Sequence, residues 1–367
     1  MVLFGRLATR ERELTTVQTK GDALTRREWP LGIEPGQDVE IDLFQPQDAP
    51  GVAALFHAVY GEDYPVKVYY RPELLARENE AGRIISSVAR TPRGEVVGHT
   101  CLFNSAPNPK LYELGAGGVL PSYRNTAKLL TRLMTHGPRV AAERFGLEAV
   151  FGDPVCTHVY SQKICHGLGW ITHALEVDLM PGSLYDEAAG ANSRVSATMD
   201  FKTLEPKPHE VYLPAVYEDT LRLLYRGLDD ARQINASEQA APAGLATRLE
   251  SKVYQFSQLV RLAVWEAGAD LAEALAKEEE SALAQGMRVI QVWLQLSCPW
   301  VGQAVNLLRK RGYFLGGLLP RWFDGDGLLM QRMAHHPHWA SINLEYDRAK
   351  TLLSLVREDW KLVCQGR

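Results

Sequence analysis

Apolar and polar positions along the chain alternate in short blocks that predict a mixed α/β protein. "VEIDLFQP" (39–46) reads as a strand, and Asp48 is placed to N-cap the helix "APGVAALFHAVYG". "RIISSVAR" and "EVVGHTCLF", joined by "TPRG", predict a hairpin. "LYELGAGGV" is a third strand whose glycines suggest a bulge or a close backbone approach. Pro121 ends that strand. Leu129, Leu130, Leu133, Met134, Val140 and Ala141 then keep a helical period, predicting a helix that opens near Arg124 or Asn125 and kinks or restarts around Pro138. "LEAVFGDPV" (147–155) is a further strand, "HVYSQKICHGLGW" a short helix ending at glycine, and "ALEVDLMP" a strand closed by Pro181.

The small, polar stretch after Pro181, "GSLYDEAAGANSR", has the composition of a boundary. Beyond it the element pattern repeats. "MDFKTLE" and "HEVYLPAVY" are strand-like, "YEDTLRLLYRGL" is helical, and "KVYQFSQLVRLAVWEAG" holds two strands. "DLAEALAKEEESALAQG" is a helix with a charged face, "RVIQVWLQL" the most hydrophobic strand of this half, and "SINLEYDRAKTLLSLVREDWKLV" a terminal helix. Residues 160–170 ("YSQKICHGLGW") and 304–314 ("AVNLLRKRGYF") share a helix–glycine–aromatic ending. The organisation predicted is an N-terminal arm 1–37, a domain over 38–181, a linker 182–198 and a second domain over 199–367.

A chain of 367 residues is comfortable for two domains, and a hydrophobic fraction of 46% predicts a packed core. A net charge of −4 carries no electrostatic footprint for nucleic acid. The opening "MVLFGRLATRERELTTVQTK" holds too few apolar residues for a signal segment or a membrane span, so the cytoplasm is the expected compartment. The five cysteines are odd in number and lack C-x-x-C spacing, which predicts neither a disulfide framework nor a zinc site. "AHHPHW" (334–339) invites a metal reading, but Pro337 and the lack of nearby paired acids favour a polar loop, and no metal is expected.

"GAGGVLPSYRNTAKLLTRLM" (115–134) is where chemistry concentrates. A strand hands over to a helix whose first N–H groups lack intrahelical partners, an arrangement that accepts a pyrophosphate with Arg124 adding a charge-assisted bond. Taken alone, the same segment also reads as an ordinary strand–turn–helix with a surface arginine.

The wider pattern resembles the GNAT superfamily of acyl-CoA N-acyltransferases over about residues 39 to 180. Val119, Pro121, Tyr123 and Arg124 match its "V-x-P-x-[YH]-R" signature, and Ser161, Gln162, Lys163, Leu168, Gly169 and Trp170 its later "S-Q-K…L-G-[FW]" segment. The resemblance implies an α/β fold with a mixed sheet, in two tandem GNAT-like domains. The second, over residues 200 to 335, is a degenerate copy in which "AVWEAGADLAEAL" replaces the phosphate turn. It also implies acetyl-CoA or another acyl-CoA as co-substrate, bound by Val119 and by the turn Arg124, Asn125, Thr126, Ala127, Lys128 and Leu129. The family pattern [RQ]-x-x-G-x-[GA] has small residues where this chain has Ala127 and Leu129.

The activity implied is transfer of an acyl group to a primary amine of a small molecule or a protein. Glu113 is the candidate base, and by alternation it shares a face with Gly115, Gly117 and Val119 if no bulge intervenes. The position where the family usually has a tyrosine acid holds Cys165, which also reads as a small buried residue. Tyr160, one turn earlier, is a substitute donor, and His158 and His166 are lesser candidates. The loop "HAVYGEDYPVKVYYRP" (57–72) is the expected acceptor pocket. The alternative is a non-catalytic acyl-CoA sensor or interaction module that keeps the fold, or a scaffold that binds no CoA.

Overall fold

The computed structural model describes residues 32–62, 64–124, 128–184 and 193–364. Most of the expected arm 1–37, and Asn125, Thr126 and Ala127 of the expected phosphate turn, lie outside the described residues. The chain divides into two compact units between Gly152 and Asp153.

The first unit contains β1 (Glu40–Leu43), α1 (Ala49–Tyr60), α2 (Pro72–Glu80), β2 (Ile84–Arg90), β3 (Val96–Phe103), β4 (Leu111–Val119), α3 (Leu129–Phe145) and β5 (Ala149–Gly152). The strands lie in the order β1-β2-β3-β4-β5, antiparallel except for the β4–β5 pair, which α3 connects in parallel. Asp48 does precede α1, yet its side chain accepts the Gln45 N–H at 2.6 Å and pairs with Arg90 rather than capping the helix. Helices cover both sheet faces. A Cβ at Gly118 would touch Leu55 and Tyr60 of α1, whereas one at Gly98 would press to 2.9 Å from Leu133 Cδ1 of α3. Glycine at 98 therefore sets how closely α3 approaches the sheet. α3 begins at Leu129, later than its periodicity predicts, and runs on through Pro138 without a break.

The second unit contains α4 (Tyr160–Gly167), β6 (Ile171–Pro181), β7 (Arg194–Thr203), β8 (His209–Leu213), α5 (Glu218–Tyr225), β9 (Arg232–Ala236), β10 (Arg248–Tyr254), β11 (Leu259–Glu266), α6 (Leu271–Ala284), β12 (Val289–Gln295), α7 (Val301–Lys310), β13 (Phe314–Leu319), β14 (Gly327–Met333) and α8 (Asp347–Cys364). Its main sheet has the order β7-β6-β13-β14-β12-β11-β10, and β8 and β9 form a separate parallel pair. The expected linker 182–198 lies within the connection and first residues of the β6–β7 hairpin, so the division of the chain falls some thirty residues earlier than composition suggests. Small polar residues mark a turn as readily as a domain boundary.

In chain order, β3-β4-α3-β5-α4-β6-β7 and β10-β11-α6-β12-α7-β13-β14 follow one pattern. In each, the first pair is antiparallel, the next parallel across a helix, and the last hairpin antiparallel. The shared ending of α4 and α7 has one hydrogen-bond scheme: Trp170 N–H donates to Cys165 O and Tyr313 N–H to Leu308 O, both at 3.0 Å, past Gly169 and Gly312 in the left-handed region. α6 ends the same way at Gly286, so this ending is a general helix stop and does not by itself mark a repeat. β6 meets β13 at the single register pair Ala174–Gly317. Gln331 supports the junction by accepting the Val177 N–H at 3.0 Å and donating to Leu175 O at 2.9 Å.

Candidate functional site

The third strand does bulge. Opposite His99 and Cys101 of β3, β4 spends one residue more between Gly118 and Gly115, and Ala116 takes a φ of 47°. The bulge reverses the alternation. Glu113 and Gly115 share a face with Gly118, on the α1 side, since a Cβ at Gly115 would lie 3.8 Å from Glu113 Oε1. Val119, the partner of Gly98, instead joins the α3 side. The expected common face of Glu113, Gly115, Gly117 and Val119 is thus broken at Ala116.

Buried polar side chains hold the bulge. His99 Nδ1 lies 2.9 Å from Ala116 O and its Nε2 3.0 Å from Ser86 Oγ. Because a carbonyl only accepts, Nδ1 carries the proton and Nε2 accepts from the serine hydroxyl. Burial pushes the His99 imidazole down to about 4, so it is neutral at physiological pH. Tyr60 donates its hydroxyl to Gly117 O, and burial raises its pKa while the nearby Arg124 guanidinium opposes the rise. The structure thereby brings Tyr60, the bulge and Arg124 together.

Glu113 is buried beside Tyr69 and Cys101, whose hydroxyl and thiol lie 3.1 Å apart. Burial lifts the Cys101 thiol to about 12, with the Glu113 charge adding to the rise. In the expected acceptor loop 57–72, Tyr64, Val66, Val68 and Tyr69 turn inward. Tyr69 stacks on Phe56 with centroids 4.6 Å apart, and Tyr64 packs edge-on against the same ring. Tyr60 and Tyr70 remain half-buried at the edge of this cluster.

At the turn, the Tyr123 hydroxyl donates to Glu34 O at 2.6 Å, which gives this motif residue an anchoring role. Arg124 is exposed, and its Nε donates to Val119 O at 3.2 Å. Lys128 adopts a left-handed φ of 51° before α3. Leu129 is only 3% exposed and packs in the core with Leu133, Val97 and Val119. The bulky residue that departs from the family pattern therefore turns inward along the apolar stripe.

In the second unit, Cys165 is buried and its thiol is raised well above the usual range by that burial. Tyr160, at the start of α4, is 74% exposed and has only His158 as a ring neighbour among the described contacts. Gln162 is a buried tie: it donates to Asn343 O at 2.9 Å and accepts the Glu345 N–H at 3.2 Å. His166 stacks on Tyr346 at 3.7 Å.

The turn after β11 is closed by its own chain. Asp270 stands at the N-cap of α6, but its carboxylate accepts the Thr247 N–H at 2.8 Å, and Gly268 N–H donates to Thr247 Oγ1 at 3.0 Å. A Cβ at Gly268 would overlap the Leu245 carbonyl. Residues 245–247 thus pack against the turn that precedes α6. Asp270 does not cap the helix amides.

The polar loop 334–339 has a partner that spacing along the sequence could not show. Asp178, on β6 and more than 150 residues away, brings its carboxylate to His335 and His338.

No family model and no curated protein matches the chain. Solved structures similar to it include an N-acetyltransferase from Staphylococcus aureus Mu50, at 13% identity over 46% of this chain and 100% of that one, with a TM-score of 0.38. A structure from Salmonella typhimurium solved with its cofactor acetyl-CoA shares 15% identity over 46% and 95%, with a TM-score of 0.37. A spermidine/spermine N-acetyltransferase from Vibrio cholerae shares 11% over 45% and 92%, with a TM-score of 0.35. Each match extends over less than half of the chain.

Proposed function

We propose that the chain is an acyl-CoA-dependent N-acyltransferase, with acetyl-CoA as the foremost co-substrate and a primary amine of a small molecule or protein as acceptor. One observation carries this reading. β4 and β5 pair in parallel only from Leu111–Ala149 to Glu113–Phe151, after which β4 continues through its bulge to Val119 without β5 beside it. The peptide groups of β4 beyond Glu113 are therefore free of β5, and such an edge can hydrogen-bond the amide-rich arm and the thioester carbonyl of an acyl-CoA. Arg124 stands at the end of this edge, where a pyrophosphate would meet the turn.

In the reaction, the amine nitrogen attacks the thioester carbon. A C–N bond forms, the C–S bond breaks, one proton leaves the amine and one reaches the CoA sulfur. Glu113 lies on the α1 side of β4, two residues from the half-buried Gly115, and serves as the proton acceptor. Tyr160, exposed at the start of α4, serves as the donor, and Cys165 belongs to packing. The second half is a degenerate GNAT-like copy that binds no cofactor, supported by the repeated strand pattern and by loop 245–247 closing its turn.

The burial of Leu129 and Cys165 favours a second reading, an acyl-CoA sensor that keeps the fold without turnover. Thermal shift with CoA, acetyl-CoA and longer acyl-CoAs, followed by thiol release across a panel of amines, separates the two. Stabilisation with amine-dependent thiol release supports the enzyme, stabilisation alone supports the sensor, and no stabilisation by any CoA species overturns both.

A further inference from the structure

We propose that Asp178, His335 and His338 form a binding site for a divalent transition-metal ion, Zn2+ foremost. Asp178 lies at a bulge in β6, where four residues from Glu176 to Met180 pass two of β7. It takes a left-handed φ of 50°, and its N–H donates to Ser196 Oγ at 2.9 Å. Its carboxylate points to the loop after β14. Oδ2 stands 2.8 Å from His335 Nε2 and 2.8 Å from His338 Nδ1, and it accepts the His338 N–H at 3.1 Å. One ligand atom from each residue lies within 4.8 Å of the others.

Hydrogen bonding alone accounts poorly for this arrangement. Three donors crowd one oxygen, while Asp178 Oδ1, on a fully buried side chain, has no hydrogen-bond partner. His335 Nδ1, on a side chain 9% exposed, has none either. Arg194 spends its Nε on the Asp178 backbone carbonyl at 2.8 Å rather than on the carboxylate. A fully buried carboxylate with one oxygen unpartnered is a costly arrangement that a cation would relieve. Two imidazole nitrogens and one carboxylate are a donor set suited to a borderline divalent ion.

A zinc ion with bonds of about 2.0–2.1 Å holds its ligand atoms about 3.3 Å apart, so the observed 2.8 Å separations would open by about half an ångström and the imidazole nitrogens, within 4.8 Å of each other, would adjust to the same spacing. The His338 side chain is 35% exposed, which gives the ion a path from solvent and leaves a coordination position for water. The ion would tie the loop carrying His335 and His338 to β6.

The test uses the full chain, free of any histidine tag, stripped with a chelator and kept reduced, titrated with Zn2+ by calorimetry. The expected result is one ion per chain at micromolar affinity or tighter, with a rise in the unfolding temperature. Binding should weaken on the order of a hundredfold in His338→Ala and in His335→Ala. His338→Ala, the most exposed of the three, should leave the metal-free unfolding temperature near that of the parent, so its loss of binding is not a loss of fold. Zinc binding in His338→Ala equal to the parent's, or no binding by the parent at about 100 μM Zn2+, overturns the site and leaves a hydrogen-bonded histidine clamp.

Discussion

His99 Nδ1 donates to the carbonyl oxygen of Ala116 across 2.9 Å, and that bond holds the left-handed residue at which β4 bulges. The histidine is fully buried and neutral, its imidazole pushed down to about 4 from an ordinary value near 6.5. In the window between those values the unfolded chain binds the proton that the folded chain refuses, so stability falls as pH falls from about 6.5 to about 4. The full loss is about 3 kcal/mol. Urea unfolding at pH 7 and pH 4.5 should show this dependence in the parent. In His99→Gln it should shrink by about 2 kcal/mol, and an undiminished dependence would mean that His99 is not the group responsible.

Leu129 fills core space beside Leu133 and just over the glycine at 98. Truncation to alanine is expected to cost about 2–5 kcal/mol, because the side chain leaves a cavity between α3 and β3. Acyl-CoA affinity should not improve. A variant of parental stability that bound CoA more tightly would put the leucine in the cradle rather than in the core.

Arg124 is exposed and contacts the backbone of its own turn, so its removal should leave the fold intact. Arg124→Ala is expected to weaken CoA binding by about 1.5–3 kcal/mol, the range of a charge-assisted bond. Dephospho-CoA should lose as much as CoA, since both carry the pyrophosphate. If calorimetry returns the parental affinity, Arg124 does not contact the cofactor.

The elements with strong periodicity were legible in the sequence. β2, β3, β4, α3 and β12 all fall within a few residues of where alternation or helical spacing puts them, because each packs an apolar face against a continuous core. α2 and β9 escaped because "PELLARENE" and "RQINA" are mostly polar and draw their order from neighbours. The glycines of β4 did announce a bulge, but not that it falls at Ala116, a residue with a Cβ, where His99 and Tyr60 hold the backbone from other strands and helices. Leu129 could be read either as an obstruction or as part of the stripe, and only burial decides. The Asp178–His335–His338 cluster was invisible, since its acid comes from a strand in the middle of the chain and its histidines from near the end.

Asp200 provides a pH dependence of the opposite sign. It sits on β7 opposite Thr172, whose hydroxyl donates to Oδ1 at 2.7 Å, and it is almost fully buried. Burial raises its carboxyl to about 6, with the threonine bonds only partly offsetting the rise. The folded chain therefore keeps a proton that the unfolded chain, titrating near 3.9, has lost, and stability falls as pH rises from about 4 to about 6. A gap of about two pH units is worth about 3 kcal/mol. Asparagine retains an oxygen to accept from Thr172 and cannot ionise. Asp200→Asn should accordingly stabilise the chain by about 2–3 kcal/mol at pH 8 and by little at pH 4. Denaturant midpoints of parent and variant at the two pH values are the measurement. An equal gain at both, or none at pH 8, would show that the Asp200 carboxyl bears no ionisation penalty in the folded chain.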